Sequence, residues 1–161
     1  MTIDGTDCRI ETPWIKWNGW SSHKFNKKAA LRYEVGVGIQ SGDIVWVAGP
    51  FPAGRYSDIT IFRMFLKPLL LDGERVEADC GYDGDPKTCT PENMLRSKRR
   101  ASRAAFARNR HETANGRIKI FNALGSVFRH DKEKHGFVFR AAAVIAQISI
   151  EMGDSLFSVN Y

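Results

Sequence analysis

Apolar residues fall at every second position in Leu31, Tyr33, Val35, Val37 and Ile39, a stride that predicts a strand. The turn residues Gln40-Ser41-Gly42-Asp43 follow, then a second apolar run from Ile44 to Ala48, so the two runs are expected to form a hairpin. Gly49-Pro50-Phe51-Pro52-Ala53-Gly54 is expected to interrupt regular structure. From Ser57 or Asp58 the stride changes. Ile59, Phe62, Phe65, Leu66 and Leu69 share one face of a helix running to about Leu71, with either polar residue as its N-cap. Arg75 to Ala78 reads as a short strand ending at Asp79, and Tyr82 to Pro91 as loop. Pro91-Glu92 opens a long helical stretch with a possible break near Asn109, continuing through Ile118, Phe121, Leu124 and Phe128. A charged turn, His130 to His135, precedes a last helix from Phe137 to about Met152. At the other end, Met1 to Ile10 is a candidate strand containing Asp4, and Trp14 to Lys28 a partly packed loop or hairpin.

The order is strand, hairpin, helix, strand, helices. That implies an α/β fold with a mixed sheet, because a crossover helix returns the chain to a parallel strand. It resembles the order of RNase H-like domains, a mixed sheet flanked by helices. At 161 residues, with 43% hydrophobic and 26% charged, the chain suits one domain, 1–161, with a real core. The longest apolar stretch, Phe137 to Met152, is interrupted by Arg140 and Gln147 and reads as a buried helix rather than a membrane span. Met1 to Ile10 carries acids and lacks the apolar core of a signal peptide. Cysteines number three, Cys8, Cys80 and Cys89, so any disulfide pairing leaves one over, which favours a reducing compartment.

The net charge of +6 favours a polyanionic partner, and its distribution says more than its sum. Arg96, Lys98, Arg99, Arg100, Arg103, Arg108 and Arg110 lie between Glu92 and Glu112 with no acid among them. Such a run is either a solvated basic face or a surface for DNA phosphates, and its place beside Glu112 favours DNA. Arg117 and Lys119 extend the same stretch.

Three carboxylates stand at the places where this order of elements brings chain segments together: Asp4 in the first strand, Asp79 at the end of the strand after the crossover helix, and Glu112 on a later helix. Gathered closely they repel one another unless a cation neutralises them, and hard oxygen donors suit Mg²⁺ or Mn²⁺, expected as two ions. Taken singly, each has a plainer reading: a turn former at Asp4, a loop cap at Asp79, and a solvated helix residue paired with Arg108 or Arg110 at Glu112. Asp58 ranks behind them, better read as the N-cap of the helix from Ile59. His111, His130 and His135 with Cys80 and Cys89 lack the paired-cysteine spacing of a zinc site, and His130 and His135 are expected to bond within their turn. Trp14, Trp17 and Trp20 are a packed loop or, less simply, a stacking surface for unpaired bases.

The segments Asp4-Gly5-Thr6, Gly54 to Asp58 with Ile61-Phe62, Ala78-Asp79-Cys80-Gly81-Tyr82-Asp83-Gly84, and Arg110-His111-Glu112-Thr113-Ala114-Asn115-Gly116-Arg117-Ile118-Lys119 together resemble the DDE-superfamily endonucleases of Harbinger-type transposons. The resemblance spans nearly the whole chain. It implies a metal-dependent nuclease or strand-transferase of the RNase H-like fold, with Asp4, Asp79 and Glu112 as the catalytic metal-binding triad. It implies DNA as substrate, and the basic stretch read above supplies the expected contacts: Lys98, Arg99, Arg100, Arg103, Arg108, Arg110, Arg117 and Lys119. It also implies a separate Myb-like DNA-binding partner and a nuclear location. Relative to such transposases the chain is expected to be truncated, without an N-terminal DNA-binding region. The rival reading is a transposase-derived DNA-binding or interaction module that has lost catalysis.

Overall fold

The computed structural model describes residues 1–14, 17–91 and 110–156. Five strands form one mixed sheet: β1 (Thr2–Arg9), β2 (Ala30–Val37), β3 (Ile44–Pro52), β4 (Val76–Glu77) and β5 (Thr88–Cys89). Their spatial order is β3-β2-β1-β4-β5. The first three strands form an antiparallel meander, and β4 and β5 add in parallel beside β1. This is the α/β, RNase H-like arrangement that the element order implied.

The helices account for the two faces. α1 (Asp58–Ile61) runs on through a wider π turn, Phe62–Leu66, and a tight turn, Lys67–Leu69. It packs its Phe62 and Leu66 against Ile3, Val76 and Tyr82. On the opposite face lie α2 (residues 110–119), the short α3 (Asn122–Gly125) and α4 (Lys132–Glu151). There Leu31, Tyr33, Val35 and Val37 of β2 meet Ala114, Ile118 and Phe139, the larger of the two cores. Every residue of β2 is buried, as befits a strand covered on both faces. Among the described residues no helix is long and apolar enough to cross a membrane.

Several elements differ from the sequence expectation. β3 does not stop before Gly49-Pro50 but carries through to Pro52, with Phe51 opposite Arg32 and Pro52 opposite Leu31. It is an edge strand, so the missing proline N–H costs no ladder bond on its open side. β5 falls within the segment expected to be loop, because two residues suffice to extend a parallel edge and carry no periodic signal. The helix expected to pass through Phe121, Leu124 and Phe128 ends at residue 119. Phe128 instead bridges Ile10 in parallel, extending β1. The last helix begins at Lys132, five residues earlier than expected, because the Asp131 side chain accepts from Glu133 N and caps it. The expected helix opening at Glu92 and its break near Asn109 lie outside the described residues.

Candidate active site

Asp4 sits in mid-strand in β1, opposite Val35, so it is no turn former. Thr2 pairs with Glu77 in the parallel β1–β4 ladder, and Asp79, two residues beyond the end of β4, lies close enough to Asp4 to raise its carboxyl. Asp79 does cap a local turn, its Oδ1 accepting from Gly81 N at 2.8 Å. The cap holds its carboxylate at the mouth of the β1–β4 junction.

Asp58 arrives from the other side. Ser57, not Asp58, holds the N-cap position of α1, and its hydroxyl pairs with that of Thr60 at 2.7 Å. Asp58, the first helical residue, is therefore free to turn inward. A Cβ at Gly5 would stand 1.9 Å from Asp58 Oδ1, and one at Gly81 would stand 3.4 Å from Asp58 Oδ2 and 2.9 Å from Asp79 Oδ1. The glycine after Asp4 and the glycine two after Asp79 thus open the space that Asp58 fills. α2 closes the site along β1: Asn115 Nδ2 donates to Asp4 Oδ2 at 3.0 Å, and Lys119 Nζ donates to the Asp7 carbonyl at 2.8 Å. Lys24, in the loop after β1, donates to the Gly5 carbonyl at 2.5 Å.

The charges explain one another. Burial pushes the Asp4 carboxyl up to about 6; Lys24 pulls it down, while Asp79 and Asp58 push it further up. Burial also lifts Asp58, against the pull of Arg32 and Lys24, with Asp7 and Asp79 adding to the rise. Arg32 Nη1 lies 3.3 Å from Asp58 Oδ1, a charge contact without hydrogen-bond alignment, for that buried oxygen has no hydrogen-bond donor. Arg32 gives its aligned bonds to Asp7 instead, Nε to Oδ1 at 2.7 Å and Nη2 to Oδ2 at 3.0 Å. Burial alone would raise Asp7, but these bonds and that from Ser22 hold it below the usual carboxylate range. Asp7 is therefore a satisfied structural acid, whereas Asp4, Asp58 and Asp79 share an excess of negative charge.

The other candidates sort by position. Glu112 lies on α2 one turn before Asn115 and is exposed to solvent. Among the described residues, no three His, Cys, Asp or Glu side chains stand together as a metal-holding group. Arg110 reaches the Ile39 carbonyl. Arg117 is tied to Asp154, with its Nη1 at 2.6 Å from Oδ2. Lys119 is half-buried, and burial lowers its affinity for a proton. Arg96, Lys98, Arg99, Arg100, Arg103 and Arg108 lie outside the described residues. His135 is part of α4 rather than its preceding turn, and its Nδ1 pairs with the Tyr33 hydroxyl at 2.7 Å, across the core. Cys8, Cys80 and Cys89 are free thiols. Trp17 and Trp20 pack edge to face with centroids 5.4 Å apart, and Trp14 stands exposed. Sequence reasoning missed Asn115 and Lys24. Asn115 had a signal, since Glu112, Asn115 and Lys119 stand three and seven residues apart and so share one helix face. Lys24 had none, because only the loop's fold brings it back to Gly5.

A sequence model of the family described as DDE superfamily endonuclease matches residues 3–147. The chain belongs to that family. No curated protein and no solved structure matches it. The match covers every element from β1 into α4, so Asp4, Asp58, Asp79, Glu112 and Asn115 all fall within the DDE endonuclease domain. Nucleases of this superfamily use divalent metal ions. Asp4 and Asp79 supply hard carboxylate oxygens of the kind such an ion takes, while Asp58 lies across the strand in the space that Gly5 leaves, paired with Arg32.

Proposed function

We propose that this DDE endonuclease domain is the catalytic part of a Harbinger-type transposase that hydrolyses DNA phosphodiester bonds with Mg²⁺ or Mn²⁺, and transfers the resulting strands. The observation that supports the reading is the mutual repulsion of Asp4 and Asp79 near the end of the β1–β4 ladder. In this reading Asp4, Asp79 and Glu112 hold the ions, Glu112 reaching in from the helix face it shares with Asn115. When bound, such ions activate water and stabilise the leaving oxygen. Asn115 orients the Asp4 carboxylate, and Lys119 stands on the same side of β1, bonded to the Asp7 carbonyl. Lys98, Arg99, Arg100, Arg103, Arg108, Arg110 and Arg117 are assigned to phosphate contact, with Arg117 exchanging Asp154 for phosphate. Such contacts make binding fall steeply with salt. A separate Myb-like DNA-binding partner and a nuclear location belong to the same proposal, by analogy with the Harbinger type.

One observation favours the rival, a DNA-binding module without catalysis: Glu112 faces solvent, and no three-residue metal group stands assembled among the described residues. Nicking of supercoiled plasmid separates the two. Wild type with Mg²⁺ or Mn²⁺ is expected to nick. Asp79→Ala and Glu112→Ala are expected to lose more than the ~10–100-fold that removal of an outer-shell partner costs. Equal behaviour of all three, with salt-dependent DNA binding intact, leaves the binding module as the answer.

A further inference from the structure

α4 carries two apolar faces, and the described residues cover one of them. Phe139, Ala142, Ala143, Ala146 and Ile150 belong to the larger core. Phe137, Ala141, Val144, Ile145 and Ile148, with Met152 just past the helix end, are exposed. Phe137 is 71% and Met152 83% exposed, so neither is merely at the edge of the core. Single exposed apolar residues are ordinary, but a continuous row of them is the mark of a docking surface. Side chains three and four residues apart are neighbours on a helix, so the six form one stripe.

Two features of the stripe say what covers it. The first is its spacing. Successive members stand four, three, one, three and four residues apart, a series that reads the same in both directions. Its midpoint falls between Val144 and Ile145. An isologous contact needs a patch that is complementary to itself, and a stripe symmetric about its own midpoint meets that need when two copies run antiparallel. Val144 then meets Ile145 of the second copy, Ala141 meets Ile148, and Phe137 meets Met152, a small residue opposite a large one in the middle pairing. The second feature is charge. The exposed charged residues of α4 beyond Phe137 are Arg140 and Glu151, and among the described residues neither is in an ion pair. Arg140 donates to the Gly49 carbonyl at 3.3 Å, and Glu151 accepts from Gln147 at 3.1 Å. Both line the groove between α4 and the edge strand β3, where Ile44 and Val47 form the other wall, so they share one flank of the stripe. An antiparallel two-fold pairing sets like flanks side by side. Arg140 stands 4.5 residues before the midpoint and Glu151 6.5 after it, so across the axis they are offset by two residues, or about 3 Å of helical rise. Arg140 of each copy is thus placed to pair with Glu151 of the other.

We propose that this face of α4 docks on the same face of a second copy of the chain, antiparallel about a two-fold axis between Val144 and Ile145, with two symmetric Arg140–Glu151 pairs at its rim. The inference is independent of the metal-dependent reading. One helix stripe makes a small interface, so the dimer is expected to be in reversible equilibrium with monomer, with a dissociation constant in the micromolar range.

The test is sedimentation equilibrium of the whole chain over a range of concentrations, with a reductant present so that the free thiols cannot cross-link the copies. The variants are Val144→Glu, Arg140→Glu, Glu151→Arg and the double exchange Arg140→Glu/Glu151→Arg. All four sites are exposed, and far-UV circular dichroism with Tm checks that each variant folds as wild type does. Wild type is expected to move from the mass of one chain toward that of two. Val144→Glu should stay monomeric, because it sets two carboxylates beside the axis. Each single charge reversal should weaken association at least about fivefold, since both rim pairs turn from attraction to repulsion, and the double exchange should restore it. A wild type that stays monomeric throughout overturns the proposal and leaves the face to another segment or a different protein. A dimer that survives Val144→Glu lies elsewhere on the molecule, which also overturns it. Loss of the dimer in the single reversals without rescue in the double exchange rules out the antiparallel pairing.

Discussion

The middle of the larger core and the β1–β4 junction both bury polar groups, and they treat them in opposite ways. In the core, Tyr33 stacks on Phe139 with centroids 3.7 Å apart and bonds its hydroxyl to His135. Burial pushes the histidine down to about 4 and the tyrosine hydroxyl upward, so both stay neutral and each serves the other. At the junction, burial and mutual repulsion push Asp4 up to about 6, and the Asp58 oxygen goes without a donor. Beneath it Glu34 is raised to about 7 by burial, against the bond it receives from Trp46 at 2.9 Å. The core thus stores stability. The junction is left with negative charge that its neighbours do not balance.

The sharpest way to break that comparison is to damage the core alone. Phe139→Ala removes a fully buried ring and is expected to cost ~3–5 kcal/mol of stability by denaturant unfolding. Mn²⁺ affinity, measured where the variant is still folded, should stay at the wild-type value. A matching loss of affinity would show that the two regions are not separable. Next comes the junction's own support. Asn115→Ala takes away the amide that orients Asp4, and metal affinity is expected to fall ~10–100-fold as for other outer-shell partners. Titration calorimetry showing no change would remove Asn115 from the site.

The smallest effect is in pH. Asp4 has a folded value near 6 against an ordinary 3.8, so its contribution favours folding below about pH 4 and is lost as pH rises through 6. His111 and His135 run the other way: near 4 when folded against 6.5, they favour folding above pH 6.5 and lose that contribution as pH falls through 4. Asp4→Asn should therefore gain on wild type in metal-free Tm as pH rises from 4 to 7. The gain should be a few degrees, since about 1 kcal/mol moves Tm by ~2–4 °C in a domain of this size. Added Mg²⁺ should reverse the order by stabilising wild type alone. A difference that is flat with pH would mean that Asp4 is not held out of balance.

Much of this was legible along the chain. The two-residue stride of Leu31 to Val37 gave β2 and, with the turn at Ser41–Gly42, the hairpin. Asp4 and Asp79 stood out because each lay where a strand of an α/β sheet would carry it to the centre. The errors have one cause. β5 is two residues long, β3 passes through two prolines, and α2 stops before Ile120 although the apolar spacing continues. Each is decided by a neighbour: β4 for β5, β2 for β3, and for Phe128 the end of β1 at Ile10.

What the sequence determined by itself was the class of sheet, the family motifs and the positions of the acids, because strides, turn residues and motif spacing are local properties of a chain. Which acids carry unbalanced charge was decided only in three dimensions. Asp7 and Asp58 both lie near Arg32, and nothing local separates them. The guanidinium has one aligned fork to give, and the packing of α1 over Gly5 directs it to Asp7, leaving Asp58 Oδ1 without an aligned donor.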